Sequence, residues 1–254
     1  MKNPFTQLIL PITMLLYLAL FILFHNHRSF FFPQGVSTTP LTETPSQLLP
    51  LILNNTQGFS IPCTNRTVWT KIKTYFYPGT PAYFDRLAAL PAAPWNNVTY
   101  TEYNRTGVRV NADRMMKNRT ETLYNLVMRE CYYWDGKYLA KIDSYLQEVA
   151  KQPTWSFSAH DPGLKYWTAG KYFLDLGSTE TARLIGQVLY MMSNSLSNTT
   201  ISVAKKALDQ RIFSILRNGG FSPSNPAANR IFYENNWGAV CLSGKNRISS
   251  LLTS

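Results

Sequence analysis

The stretch TETLYNLVMRECYYWDGKYLAKIDSYLQEVAK (Thr120–Lys151) decides the fold class. Apolar residues recur at spacings of three and four on both sides of an Asp135-Gly136 break, which is the period of amphipathic helices. Because this break is only two residues long, the stretch predicts two antiparallel helices. Pro153 ends the second helix. Their inward residues are predicted to be Leu123, Leu126, Val127, Cys131 and Trp134 in the first helix, and Leu139, Ile142, Tyr145, Leu146 and Val149 in the second.

Two further helices are predicted after this hairpin. One begins after Gly177, with Ser178 as N-cap and Glu180 in its first turn. The next runs from about Thr200 to Arg217 and ends at Asn218-Gly219-Gly220. No segment after residue 100 alternates with period two, so the sequence predicts an all-α fold. The two apolar stripes are Ala182, Leu184, Ile185, Val188, Leu189 and Met192, then Ile201, Ala204, Leu208, Ile212 and Ile215.

Residues 1–28 predict a hydrophobic targeting helix. Leu8–Phe24 is a run of 17 residues without a charge, at the lower limit for a membrane span and a little long for a signal-peptide core. We expect a signal anchor that crosses the membrane through residues 8–24, with a cleaved signal peptide as the alternative. Either places the remainder in the secretory pathway, as a membrane-anchored lumenal or extracellular domain or as a secreted protein.

The rest of the chain divides by composition. Residues 29–64 are rich in Pro, Ser and Thr and predict a linker or stalk. Residues 65–244 have a globular composition, although four prolines in 78–97 predict only short helical turns there. The tail, 245–254, is polar and unlike the helix that precedes it.

Charge and acceptor motifs indicate the class of partner. Only 15% of residues are charged, yet the chain carries +11, of which +9 lies after residue 28 because the first 28 residues contain Lys2, Arg28 and no acid. This excess is typical of a soluble basic surface or of a polyanion-binding protein. N-x-Thr glycosylation motifs indicate a lumenal location and so favour an acidic polysaccharide over nucleic acid. Their asparagines are Asn54, Asn65, Asn97, Asn104, Asn118 and Asn198.

Cysteine and histidine content predicts no metal site. Cys63, Cys131 and Cys241 show no C-x-x-C spacing, and the three histidines are scattered. One disulfide with a spare thiol, or three buried thiols, fits this pattern equally well.

Two stretches carry candidate chemistry. PTWSFSAHDPGLKYW (Pro153–Trp167) contains His160, which could act as an acid, a base or a donor to substrate, or could form a loop cap with Asp161 under the neighbouring tryptophans. NNW at 235–237 places two amides beside an indole, as sugar sites do: the ring covers a sugar face and the amides bond hydroxyls or a carboxylate. The same three residues could instead cap and pack the start of the helix that GAVCLSG predicts, and the residue types alone favour this alternative.

Motifs PTW…AHD, LDLGSTETARLIGQVLYMM, ISVAKKALDQRIFSIL and NNWGAVCLSG, in this order, resemble the heparinase II/III and alginate-lyase superfamily. The resemblance covers roughly residues 65–244. It implies that they form the first part of an incomplete (α/α) toroid built of helical hairpins. In the family, the rest of the toroid and an antiparallel β-sandwich domain follow.

The resemblance implies a polysaccharide lyase, or the related uronyl epimerase chemistry, acting on uronate-containing chains without a cofactor. In such enzymes an Asn, His or Arg neutralises the C5 carboxylate, a Tyr or His removes the C5 proton, and the C4 oxygen leaves protonated. It places Asn235 and Asn236 at the carboxylate, Trp237 against the sugar, and His160 and Trp155 along the cleft.

The family's catalytic Tyr and later His lie beyond the NNW segment, whereas this chain ends with KNRISSLLTS. We therefore expect a truncated N-terminal fragment that is catalytically incomplete as it stands. One alternative is a non-catalytic, membrane-anchored or secreted glycoprotein that binds acidic glycans. Another is an unrelated helical-toroid glycosidase, which needs paired carboxylates; Asp175, Glu180 and Glu234 show no arrangement that demands it.

Overall fold

The computed structural model describes residues 61–75, 81–91, 93–219, 226–229 and 236–241. These residues form helices, turns and irregular loops, with no strand among them, and belong to one unit, Leu49–Ser254. The prediction of an all-α fold is confirmed. The predicted N-terminal hydrophobic helix, most of the linker and the tail 245–254 lie outside the described residues.

The helices follow one another with short connections. They are α1 (Arg66–Tyr75), α2 (Pro81–Ala89), α3 (Asn97–Thr106), α4 (Val110–Tyr133), α5 (Leu139–Lys151), α6 (Lys165–Thr168), α7 (Leu176–Met192), α8 (Asn198–Leu208) and α9 (Ser214–Gly219). Single 3-10 turns lie at Ser158–His160, Pro162–Leu164 and Ser193–Ser195, and a π-helical stretch, Asp209–Phe213, joins α8 to α9. Residues 236–241 are also helical.

Helix α4 is the centre of the described fold. It packs against α1, α2, α3, α5 and α7, while α8 packs on α5 and α7. The predicted inward residues of the hairpin are buried, except that Trp134 and Leu139 are half-buried. The residues of the two later apolar stripes are also buried, except that Ile201 and Ile215 are half-buried. Helical periodicity therefore identified the core correctly.

Helix boundaries differ from the predictions in several places. Helix α4 begins at Val110, ten residues before the predicted hairpin, and the helix predicted from Thr200 to Arg217 is divided into α8, the π-helical stretch and α9. Helix α2 lies where only short turns were predicted, because Pro81 stands at its first position, where a helix needs no N–H donor. Helix α7 begins at Leu176 rather than after Gly177, and Asp175 rather than Ser178 caps it. Ser178 sits three residues inside and returns the bond, since its hydroxyl accepts from the Asp175 N–H at 2.8 Å.

A disulfide fastens the first described residues to α4. Cys63 and Cys131 form the disulfide and are both fully buried, and Cys241 is a buried thiol outside the bridge. One bridge with a spare thiol is therefore the arrangement found. The Cys63 N–H also donates to the Met191 carbonyl at 2.9 Å, so this end of the predicted linker belongs to the core.

Within the described residues, no helix combines the length and apolarity required to cross a membrane. The predicted span, residues 8–24, lies outside them.

Candidate functional site

The loop between α5 and α7 carries the first group of predicted site residues. In the middle of this loop, the Asp161 carboxylate accepts hydrogen bonds from the N–H groups of Tyr166 at 3.0 Å and Trp167 at 2.8 Å, at the start of α6. Gly177 lets the first turn of α7 press on this loop, because a Cβ there would lie 2.7 Å from the Trp155 carbonyl oxygen. The loop is thus held closely against α7.

The carboxylate of Asp175 binds three groups of the site. It is fully buried, and its Oδ1 accepts the Ser178 N–H at 2.8 Å. Its Oδ2 accepts the Phe157 N–H at 3.0 Å and lies 2.8 Å from Nδ1 of His160. A buried carboxylate needs such donors to offset the loss of water. One side chain therefore caps α7, anchors the loop backbone and orients the histidine.

These hydrogen bonds orient the side chain of His160. Its side chain is 8% exposed, and its Nδ1 donates to Asp175 at 2.8 Å. The partner of one ring nitrogen decides the role of the other. Nε2 is thereby left as the nitrogen that can accept from, or donate to, a ligand, and within the described part of the chain no group hydrogen-bonds to it.

The NNW segment meets this loop at His160. The rings of His160 and Trp237 lie 4.3 Å apart, at 52°. Asn236 is exposed and Trp237 is half-buried at the start of the helical residues 236–241, whereas Asn235 lies outside the described residues. The other end of this helix packs on α7, where the Thr179 hydroxyl donates to Sγ of Cys241 at 3.7 Å.

Trp155, predicted to bind substrate, lies in the core. It is 2% exposed, its indole N–H donates to the Val149 carbonyl at 2.9 Å, and the Arg211 guanidinium lies 4.9 Å above its ring. Substrate contact does not fit this position, because neither face nor edge of the ring is available to a sugar. Trp155 instead supports the start of the site loop.

Arg211 was not singled out from the sequence. It belongs to the π-helical stretch, a local irregularity often found near functional sites. Its guanidinium lies between the rings of Trp155 and Tyr172, 4.5 Å from the latter, and donates to the Gln152 carbonyl at 2.7 Å. Burial lowers the pKa of Arg211. These contacts brace the beginning and the end of the site loop.

An aromatic cluster flanks the loop on the side of α3. The ring of Tyr100 lies 5.2 Å from Trp95 and 4.7 Å from Trp167, and the two tryptophans are 6.2 Å apart. The fully buried Tyr100 donates its hydroxyl to the Ser156 carbonyl at 3.0 Å. Burial raises the pKa of Tyr100, which disfavours a tyrosinate. Tyr100 is thus a structural residue and not a candidate base.

Two surface clefts lie away from these residues. One, of about 250 Å³, runs between α4 and α7 and is lined by Glu121, Tyr124 and Arg183, among others. The other, of about 510 Å³, lies beside Lys171 and Tyr172. Neither is lined by His160, Asn236 or Trp237. Across the described part of the chain, no three His, Cys, Asp or Glu side chains converge on a point that could hold a metal ion.

Comparison with known proteins adds no family assignment. No family model matches the chain, and no curated protein matches it.

Proposed function

We propose that the chain is a polysaccharide lyase-like protein that binds a uronate-containing polysaccharide at His160, Asn236 and Trp237. We further propose that its helical hairpins form part of an incomplete (α/α) toroid like that of the heparinase II/III and alginate-lyase superfamily. The packing of α8 on both α5 and α7 is compatible with that architecture.

The contact between His160 and Trp237 carries the proposal. The two residues come from motifs that are far apart in the sequence, yet their rings lie 4.3 Å apart. Each motif supplies a different part of a uronate site. Trp237 offers an aromatic face for the sugar ring, and Nε2 of His160 and the amide of Asn236 offer polar groups for hydroxyls or a carboxylate.

Elimination also needs a base for the C5 proton. His160 fits that role better than Tyr100, because Asp175 leaves its Nε2 free to accept a proton, whereas the Tyr100 hydroxyl is buried against the Ser156 carbonyl. In the proposed site, Asn236 faces the carboxylate and His160 serves as the base or as a second carboxylate partner. The chemistry requires no cofactor.

We propose a lumenal or extracellular location, membrane-anchored through residues 8–24 or secreted. Two observations support it. The Cys63–Cys131 disulfide is typical of oxidising compartments. The acceptor asparagines within the described residues are all exposed, as glycosylation requires; they are Asn65, Asn97, Asn104, Asn118 and Asn198.

The test is binding of the full chain to heparan sulfate, dermatan sulfate and alginate, compared among variants. His160→Asn keeps an amide nitrogen at the position of Nδ1, which can still donate to Asp175, but has no atom at the position of Nε2, and Trp237→Ala removes the ring. We expect each to weaken binding at least about tenfold, roughly the value of one well-placed hydrogen bond or ring contact. Lys205→Ala, an exposed charge on α8, is the control and should change binding less than about twofold. Equal affinity in all variants would contradict the proposal.

Elimination is tested on the same polymers. A lyase produces an unsaturated uronate that absorbs ultraviolet light. If the wild-type chain produces it and His160→Asn does not, His160 is the base; production at an equal rate by His160→Asn would exclude that role. If the wild-type chain binds the polymer and releases no product, the chain is catalytically incomplete, as expected from the sequence, and His160 is not a sufficient base.

A second candidate is charge-driven binding by a non-catalytic glycoprotein. It is favoured by Lys165 and Lys171, which are exposed on the segment after His160 and have no ion-pair partner within the described residues. This candidate predicts that Lys165→Ala and Lys171→Ala weaken binding, that added salt abolishes it, and that His160→Asn has no effect.

A further inference from the structure

One glycosylation motif differs from the others in its surroundings. Asn97, the first residue of α3, is exposed, and its Oδ1 accepts the indole N–H of Trp95 at 2.6 Å. Asn65 instead uses its Oδ1 to accept the Val68 N–H at the start of α1. Among the described acceptor asparagines, Asn97 is the one whose amide oxygen is held by an aromatic side chain.

This hydrogen bond fixes the direction in which a glycan on Asn97 would leave. Glycosylation at Nδ2 converts the amide to a secondary amide, which is planar and trans like a peptide bond. In a trans amide, the carbon bonded to nitrogen lies on the same side of the C–N bond as the oxygen. The sugar carbon C1 would therefore lie on the side of Oδ1, which is the side occupied by Trp95.

Trp95 has room for such a contact. Its ring packs towards Tyr100 at 5.2 Å and Trp167 at 6.2 Å, and the residue is only half-buried, so part of it remains accessible. A sugar ring has an apolar face of C–H groups that an aromatic ring covers well.

We propose that the first N-acetylglucosamine of a glycan on Asn97 packs against Trp95 and completes the aromatic cluster of Trp95, Tyr100 and Trp167. The glycan is then a folded part of the molecule. The backbone N–H of Trp167 donates a hydrogen bond to the Asp161 carboxylate, and Asp161 directly follows His160 in the sequence. The attached sugar thereby stabilises the support of the site loop. This stabilisation does not depend on what the loop binds.

The test uses the full chain produced in cells that add N-glycans, with every glycan trimmed enzymatically to its first sugar. Thr99→Ala removes the acceptor motif of Asn97 without changing Asn97 or Trp95. Thr106→Ala removes that of Asn104 on the same helix and is the matched control. Mass spectrometry of the peptides measures occupancy, and thermal unfolding measures stability.

We expect Asn97 to be occupied, and Thr99→Ala to lower the melting temperature by about 2–4 °C, the shift typical of one aromatic contact in a chain of this size. Thr106→Ala should lower it by less than about 1 °C. In a Trp95→Leu background, Thr99→Ala should have no further effect. In protein made without glycosylation, Thr99→Ala should likewise leave the melting temperature unchanged.

Three results would overturn the proposal: an unoccupied Asn97, equal shifts for Thr99→Ala and Thr106→Ala, or a Thr99→Ala shift that persists in the Trp95→Leu background.

Discussion

At the scale of single residues, Asp175 does the most in the candidate site. A capping residue usually serves one helix terminus, whereas this carboxylate also accepts from the Phe157 N–H and pairs with His160. Stability and the orientation of His160 therefore depend on the same group. A change at Asp175 should affect both.

We predict that Asp175→Asn destabilises the protein by about 1–3 kcal/mol. The amide keeps the shape but supplies one acceptor oxygen in place of two, so a buried N–H group loses its partner. The free energy of unfolding in urea measures the loss. Asp209→Asn is the control, since Asp209 pairs with Arg217 at 2.6 Å in an exposed ion pair worth less than about 1 kcal/mol. Equal losses in the two variants would contradict the role assigned to Asp175.

At the scale of elements, the turn between α4 and α5 shows how the hairpin is closed. Trp134 adopts a left-handed conformation, with φ 54°, and ends α4. The buried Glu130 accepts the N–H groups of Gly136 at 2.5 Å and Tyr138 at 3.2 Å. Asp135 forms two hydrogen bonds to the Arg129 guanidinium. Carboxylates thus replace the backbone partners that the turn residues lack.

This turn predicts a dependence of stability on acid. The hydrogen bonds from Arg129 lower the pKa of Asp135 from 3.8 to about 2. Because the folded-state pKa lies below the unfolded value, Asp135 stabilises the fold above about pH 4, and this contribution is lost as the pH falls through about 2. Asp135 is 47% exposed, so we expect less than about 1 kcal/mol.

The measurement is the unfolding free energy of wild type and Asp135→Asn from neutral pH down to about pH 2. The two should differ most at neutral pH and converge in acid. A constant difference across the range would show that the ion pair does not cause it.

The elements also show which features a sequence reveals. Helices with a continuous apolar stripe, α4, α5, α7 and α8, were predicted because periodicity is a local property. Helices α1 and α3 were not predicted: α1 is short and follows directly on the predicted linker, and α3 is largely polar and lacks a clear apolar stripe. The neighbourhood of Trp237 and His160 was proposed only through a family resemblance, because their contact depends on how α7 packs. The pairing of His160 with Asp175 could not be foreseen either, since Asp175 carried no local signal beyond its place before Ser178.

At the scale of the whole molecule, the disulfide joins the beginning of the described fold to its central helix. Arg66 reinforces the connection by donating to the carbonyls of Cys63 at 2.8 Å and Cys131 at 2.6 Å. The chain between the two cysteines contains α1, α2, α3 and most of α4. The bridge therefore restricts the part of the unfolded chain that carries the aromatic cluster beside the site loop.

We predict that removing this bridge lowers the free energy of unfolding by about 4 kcal/mol. A cross-link removes entropy from the unfolded chain, and it removes more when the loop that it closes is longer. Here the two cysteines are 68 positions apart. Replacing Cys63 and Cys131 together by Ser should lower the denaturation midpoint by the corresponding amount. Reductant should have the same effect on the wild type. Cys241→Ala, which changes the buried thiol outside the bridge, should leave the response to reductant intact. A wild-type midpoint that reductant does not change would show that the bridge contributes nothing to stability.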